Sequence, residues 1–201
     1  MSETFETFTR ALKACRICSP RFARTVDGHG PRPVVWVSQK ARVLIAGQAP
    51  GARVHKSGRP FTDPSGDRLR AWLGLDEQVF YDREKIAIAP MAFCFPGHDG
   101  RGADLPPPKI CASEWRARLL SHLPGLELTL LVGGYAQAYH LQAAAKGGVT
   151  RTVAAWRDHA PAVYPLPHPS WRNTRWLKEN PWFEAELLTD LRPRLKGLLN
   201  D

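Results

Sequence analysis

Four short apolar runs, spaced along the chain and each leading into a turn, constrain its fold more than any other feature. Arg42 to Ala46 reads RVLIA, Lys85 to Ala89 reads KIAIA, Leu128 to Val132 reads LTLLV, and Val163 to Leu166 closes the series. Apolar runs of this length without polar alternation are expected as strands buried on both faces. Helical stretches fall between them. DRLRAWLGL opens with Asp67 after Pro64, Ser65 and Gly66; EWRARLLSHL has Ser113 as its expected cap; YAQAYHLQAAA is opened by Gly133 and Gly134. Strands alternating with helices predict a three-layer α/β/α sandwich around a short, mostly parallel central sheet. In such sheets the loops at the carboxyl ends of strands build the ligand site. Three loops with distinctive residues, GQAPG, CFPG and HPS, follow predicted strands, so they are expected at one edge.

No internal repeat, low-complexity tract or long linker divides the 201 residues, which are expected to form a single domain over positions 1–201. The N-terminal stretch MSETFETFTRALKAC lacks a basic start followed by an apolar block, and it reads as a short amphipathic helix rather than a secretory signal. No apolar run reaches the roughly 18 residues of a membrane span. The expected location is the cytoplasm, in association with the nucleoid. A formal net charge of +9 favours a polyanionic partner through counterion release, although a basic protein without such a partner has the same charge. In a reducing compartment the four cysteines are not expected to pair as disulfides; metal or cluster ligation and simple burial remain open.

Their spacing favours ligation and leaves simple burial open. Cys15 and Cys18 form a Cys-x-x-Cys pair, while Cys94 follows the second predicted strand and Cys111 stands near the start of the next helix. Such a pair holds one edge of an iron–sulfur cluster and two distant thiolates close it. A tetrahedral zinc would use the same four ligands.

The loop Gly47-Gln48-Ala49-Pro50-Gly51, the segment GRPFTDPSGDRL and the late His168-Pro169-Ser170 together resemble the uracil-DNA glycosylase superfamily, closest to its iron–sulfur (family 4) branch. The resemblance runs from about Cys15 to Asn173. It implies the fold already predicted and a structural 4Fe-4S cluster on Cys15, Cys18, Cys94 and Cys111. It also implies a DNA substrate whose damaged or deaminated base is flipped out of the helix, because the glycosidic bond is out of reach while the base is stacked.

The same resemblance implies roles for single residues. The loop Gly47, Gln48, Ala49, Pro50 and Gly51 would lie against the flipped base, with Gln48 contacting it. Ala49 occupies the place where many members carry an acidic or amide residue that orients the attacking water. Asp63 is the substitute candidate, for water or for the cationic sugar, and a helix cap or turn is its other reading. Gly51 falls where some members place a bulky aromatic, which leaves space beside the pyrimidine C5. Phe61 matches the ring that stacks on the base, with a core phenylalanine as the alternative. His98 is the nearest match to the asparagine that reads the uracil edge, or else a solvated loop residue. His168 would hydrogen-bond the base carbonyl O2 as negative charge develops on the leaving base. Ser65, Ser170, Arg172 and Asn173 are expected to contact DNA, and HPSWRN looks like the HPSPRN of the single-strand-selective monofunctional uracil glycosylases.

The expected function is monofunctional hydrolysis of the N-glycosidic bond of uracil, or a related deaminated base, leaving an abasic site in base-excision repair. The chain is expected to act as a monomer. Two alternatives stay open: a glycosylase for hypoxanthine, xanthine or 5-substituted uracil, and a non-catalytic damaged-DNA-binding protein on the same scaffold.

Overall fold

Each of the four apolar runs forms a strand: β1 (Val43–Ala46), β2 (Ile86–Ile88), β3 (Leu128–Val132) and β4 (Val163–Leu166). In the computed structural model, which describes residues 3–200, they pair in parallel in the order β2-β1-β3-β4. Met1, Ser2 and Asp201, the ends of the expected domain, lie outside the described residues. Register runs from Val43 opposite Ile86 on one side of β1 to Val43 opposite Leu128 on the other.

The helices in chain order are α1 (Phe5–Lys13), α2 (Ser19–Phe22), α3 (Ala52–Ser57), α4 (Pro64–Leu73), α5 (Glu77–Phe80), α6 (Lys109–Ser121), α7 (Gly134–Leu141), α8 (Gly148–Ala154), α9 (Thr174–Glu179) and α10 (Thr189–Asn200). The alternation of side chains along each strand sorts them into two layers. Val43, Ile45, Ile86, Ile88, Leu128 and Leu130 face a core shared with Leu69 and Trp72 of α4, Val153 of α8 and Leu191, Leu195 and Leu199 of α10. Leu44 and Ala87 face Phe8 and Leu12 of α1 and Trp115 and Leu119 of α6. Both faces are covered, which is why the strands carry no polar alternation. Each fully buried Leu, Ile or Phe contributes about 1.5–3 kcal/mol relative to exposure. The architecture is the expected three-layer α/β/α sandwich, and its central sheet is wholly parallel.

Local details differ from the sequence reading at two helix starts. Ser113 does not cap its helix: α6 begins at Lys109, after Pro108, and the Ser113 hydroxyl donates back to the Ile110 carbonyl at 3.1 Å inside the helix. The three prolines at 106–108 cannot continue a helix from upstream but are well suited to lead into one, so the start moves to the end of that run. Helix α4 begins at Pro64 rather than at Asp67, with Asp63 as its N-cap.

The order β2-β1-β3-β4 places the reversal of winding between β1 and β3. Loops leaving the carboxyl ends of these two strands part in opposite directions there, opening a crevice.

Candidate active site

A cavity of ≈ 110 Å³ occupies that crevice. Its walls come from the carboxyl ends of every strand: the loop 47–51 after β1, Ile88 and Pro90 at β2, Val132 closing β3, and His168 after β4. Phe61, Asp63 and Ser65, from the approach to α4, and Asp104, from the loop after β2, complete it.

Phe61 is held in a conformation that a non-glycine residue seldom adopts, with φ at 54°. Its carbonyl accepts from the Tyr81 hydroxyl at 2.9 Å and from Arg70 at 3.3 Å, and the α4 backbone at Gly66 packs directly onto it. A Cβ at Gly66 would lie 1.8 Å from the Phe61 oxygen, so only glycine fits there. The surroundings therefore fix the strained residue, a pattern found at ligand sites. Its ring lies over Gly47, against whose ideal Cβ position Cζ stands 3.8 Å away, and meets Phe80 edge-on at 6.0 Å between centroids.

His168 follows β4 in a loop tied at several points. Its Nδ1 accepts the Ser170 backbone N–H at 3.2 Å, and its carbonyl accepts from the Asn173 side-chain amide at 2.7 Å. Arg68 of α4 donates to the Ser170 carbonyl at 2.9 Å. The buried Gln137 of α7 donates to the Leu166 carbonyl at 2.9 Å, fixing the end of β4 just before the loop. With Nδ1 accepting, the neutral ring carries its proton on Nε2 and offers one donor. Burial pushes the His168 imidazole below the ordinary histidine value, against the opposing pull of Asp63 and Asp104. The neutral form is thereby favoured.

Of the residues singled out in the sequence, Gly47, Gln48, Ala49, Pro50, Gly51, Phe61, Asp63, Ser65 and His168 all line the cavity. Asp63 also caps α4, accepting the Gly66 N–H at 3.2 Å, so both of its readings describe the same side chain. His98 is not among the lining residues. It stands behind Asp104, with Nδ1 at 2.8 Å from Asp27 Oδ1 and Nε2 at 3.4 Å from Asp104 Oδ1. Ser170 turns its hydroxyl to the Arg172 N–H at 3.3 Å, Asn173 braces the His168 backbone, and Trp171 and Arg172 are exposed beside the loop.

Asp104 had no role in the sequence reading. A tight hairpin carries it into the cavity: the Leu105 N–H reaches the Gly97 carbonyl at 2.8 Å, the Asp99 N–H reaches the Ala103 carbonyl at 2.8 Å, and the Asp99 carboxylate caps the turn at the Arg101 and Ala103 N–H groups. Gly97 takes φ at +92° with Thr25 packed against it, a place no side chain fits. The cue in the sequence was Asp99-Gly100 with Gly102 soon after, a turn signal inside the longer proline-rich loop.

The four cysteines border a second, apolar cavity together with Leu12, Phe22, Phe93 and Trp115. They form no disulfides. Burial pushes the Cys94 thiol up to about 12 and the Cys111 thiol up to about 11. The Phe93 N–H points at Cys111 Sγ at 3.4 Å, and a backbone N–H at Arg32 serves Cys94. Among the described residues no three His, Cys, Asp or Glu side chains converge on a point as they would around one metal ion. The four thiols line this cavity from the N-terminal segment, the loop after β2 and the first turn of α6, and thiolates are the donors that either an iron–sulfur cluster or a tetrahedral zinc takes.

Residues 13–192 match the family model of the uracil DNA glycosylase superfamily. The chain belongs to the uracil DNA glycosylase superfamily. The match spans all four strands, the cavity at the strand ends, the four cysteines and the His168 loop, and the basic charge of the chain is compatible with a family that acts on DNA. Among the described residues no helix is long and apolar enough to cross a membrane.

Proposed function

We propose that this superfamily member is a monofunctional DNA glycosylase that hydrolyses the N-glycosidic bond of uracil, or of a closely related deaminated base, flipped out of DNA. The observation that carries the proposal is the enclosure of Phe61 and His168 in one cavity, with His168 Nδ1 already occupied by the Ser170 N–H. The aromatic ring supplies a stacking surface worth roughly 1–3 kcal/mol per base. The Nε2–H supplies a donor for a base oxygen. Because charge appears on that oxygen only as the bond breaks, the hydrogen bond strengthens toward the transition state and lowers the barrier. Among the described residues the cavity lining holds no lysine, and the proposed step is simple hydrolysis without a Schiff base. Trp171 and Arg172, exposed beside the His168 loop, would meet the DNA strand, and stacking with a cationic neighbour suits unpaired DNA.

A 4Fe-4S cluster held by Cys15, Cys18, Cys94 and Cys111 belongs to the same proposal. It would supply a covalent cross-link between the N-terminal segment and the loop after β2, without a redox step. Four unpaired thiols suit the cytoplasm, where the protein would act on DNA as a monomer.

A second reading concerns the base. The nearest atom to a Cβ built at Gly51 is Asp104 Oδ2 at 4.0 Å, so the wall beside Gly51 has room for a larger substrate. Single-lesion oligonucleotides carrying uracil, 5-substituted uracil, hypoxanthine or xanthine separate the readings. Release of free uracil is expected. Release of a purine alone would replace uracil as the substrate, and tight binding with no base released would mark a non-catalytic DNA-binding protein.

A further inference from the structure

We propose that Asp104 is the carboxylate that activates the attacking water, and that His98, clamped by Asp27, is its positioning residue. This rests on the glycosylase reading and names a catalytic group within it. Two carboxylates line the cavity, and they are not equivalent. Asp63 is committed to the α4 cap through the Gly66 N–H. Among the described residues no backbone N–H of its hairpin is bonded to the Asp104 carboxylate; Oδ1 stands 3.4 Å from His98 Nε2, and Oδ2 lies 4.0 Å from the Cβ position of Gly51. Its side chain is 51% exposed, so water reaches it.

The hairpin that presents Asp104 is also anchored from the N-terminal part of the chain by Asp27. Asp27 accepts both the His98 backbone N–H at 2.7 Å and the His98 Nδ1 at 2.8 Å, which fixes the ring with Nε2 toward Asp104. His98 stands between the two carboxylates, its Nδ1 2.8 Å from Asp27 Oδ1 and its Nε2 3.4 Å from Asp104 Oδ1, and so backs the Asp104 side chain. The charged groups around Asp104 are His98 and Asp27 on this side and His168 and Arg172 from the loop after β4. The covered half of the Asp104 side chain raises its carboxyl above the usual carboxylate range, while His98, His168 and Arg172 draw it back. A carboxylate of raised basicity accepts a proton more readily than an ordinary one.

The step balances as follows. The water oxygen bonds to the anomeric carbon C1′ and passes its proton to Asp104. The C1′–N bond breaks, and its electron pair leaves with the base, whose oxygen is stabilised by His168 Nε2–H. The base anion then takes a proton from solvent. Ala49, which bears no acidic group, is not needed for any part of this sequence.

The test is single-turnover release of uracil from a single-stranded oligonucleotide, run beside binding of the same strand carrying non-hydrolysable 2′-fluoro-2′-deoxyuridine. Asp104→Asn is expected to lose roughly 10²- to 10⁴-fold in rate and keep analogue binding. Asp63→Asn, which preserves a good helix cap, is expected to lose far less. The wild-type rate should fall on acidification along a limb set by Asp104, and His98→Gln should move that limb to higher pH, since His98 draws the Asp104 carboxyl down. A wild-type rate in Asp104→Asn, or loss of analogue binding in that variant, overturns the assignment to water. An unmoved limb in His98→Gln overturns the positioning role. If the wild-type protein releases no base at all, the glycosylase reading itself falls, and this proposal with it.

Discussion

Replacing Gly66 by alanine sets two opposing effects against each other in the first turn of α4. Alanine is the better helix former and restricts the unfolded chain, a gain of about 0.4–1 kcal/mol where the site accepts it. Here the site does not. The new Cβ would lie 1.8 Å from the Phe61 oxygen, 2.6 Å from its carbonyl carbon and 2.9 Å from its Cβ, all belonging to a residue fixed by Tyr81 and Arg70. Reaching ordinary contact needs more than an ångström of movement, and overpacking of this kind costs about 1–3 kcal/mol. The net loss is about 1–2 kcal/mol, or roughly 2–8 °C in Tm for a chain of this size. The displaced part is the stacking ring, and misplacement by about 1 Å reduces rate by as much as 10²-fold. Gly197→Ala provides the control: Gly197 lies within α10 with nothing within 4 Å of its Cβ position, so that change should stabilise. Thermal melts followed by circular dichroism, with single-turnover rates on the same preparations, decide the matter. If Gly66→Ala melted at or above wild type with an unchanged rate, the packing of α4 onto Phe61 would not be what holds the ring.

Three other outcomes follow from the geometry. Cys94→Ser or Cys111→Ser should remove the brown colour and visible absorption expected of the purified protein and lower Tm, whereas a colourless wild-type preparation carrying zinc would replace the cluster. Asn173→Ala removes the amide that holds the His168 carbonyl and should slow base release by up to about 10-fold, the equivalent of one hydrogen bond of about 0.5–1.5 kcal/mol, with little change in DNA binding. Burial, aided by Arg116, depresses the His140 imidazole to about 4, so between 6.5 and about 4 the unfolded chain takes up a proton that the folded chain does not. Stability is therefore full above 6.5 and falls as pH drops toward 4, by up to roughly 3 kcal/mol at about 1.36 kcal/mol per unit. Denaturant melts across that range should show the slope, and His140→Gln should flatten it.

The strands were legible because burial on both faces leaves no room for polar residues, and Leu128–Val132 and Val163–Leu166 begin and end where the apolar runs do. The loop 47–51, Phe61 and His168 were legible because the resemblance names them and the parallel sheet brings strand ends together. Asp104 was not, since its position depends on a hairpin closed by Asp99 and on Gly97 packing against Thr25, a contact far apart in sequence. His98 looked like a base-reading residue by its place after the second strand, but the same hairpin turns it toward Asp27 and Asp104. Asn173 looked like a DNA contact, and its amide is used within its own loop. Gln137 and Arg68 could not be read at all, because buried or bridging polar side chains announce themselves only through the carbonyls they satisfy. The C-terminal helix was obscured by Pro193 within it, although Leu191, Leu195 and Leu199 recur at helical spacing and all are buried.

The most direct measurement is the single-turnover rate of free uracil release by His168→Ala, with analogue binding measured in parallel. Loss of a donor that acts on developing charge predicts a fall of roughly 10²- to 10³-fold with binding of the intact strand retained. Release at the wild-type rate would show that the imidazole in the cavity bears none of the departing base's charge, and the proposed chemistry would be wrong.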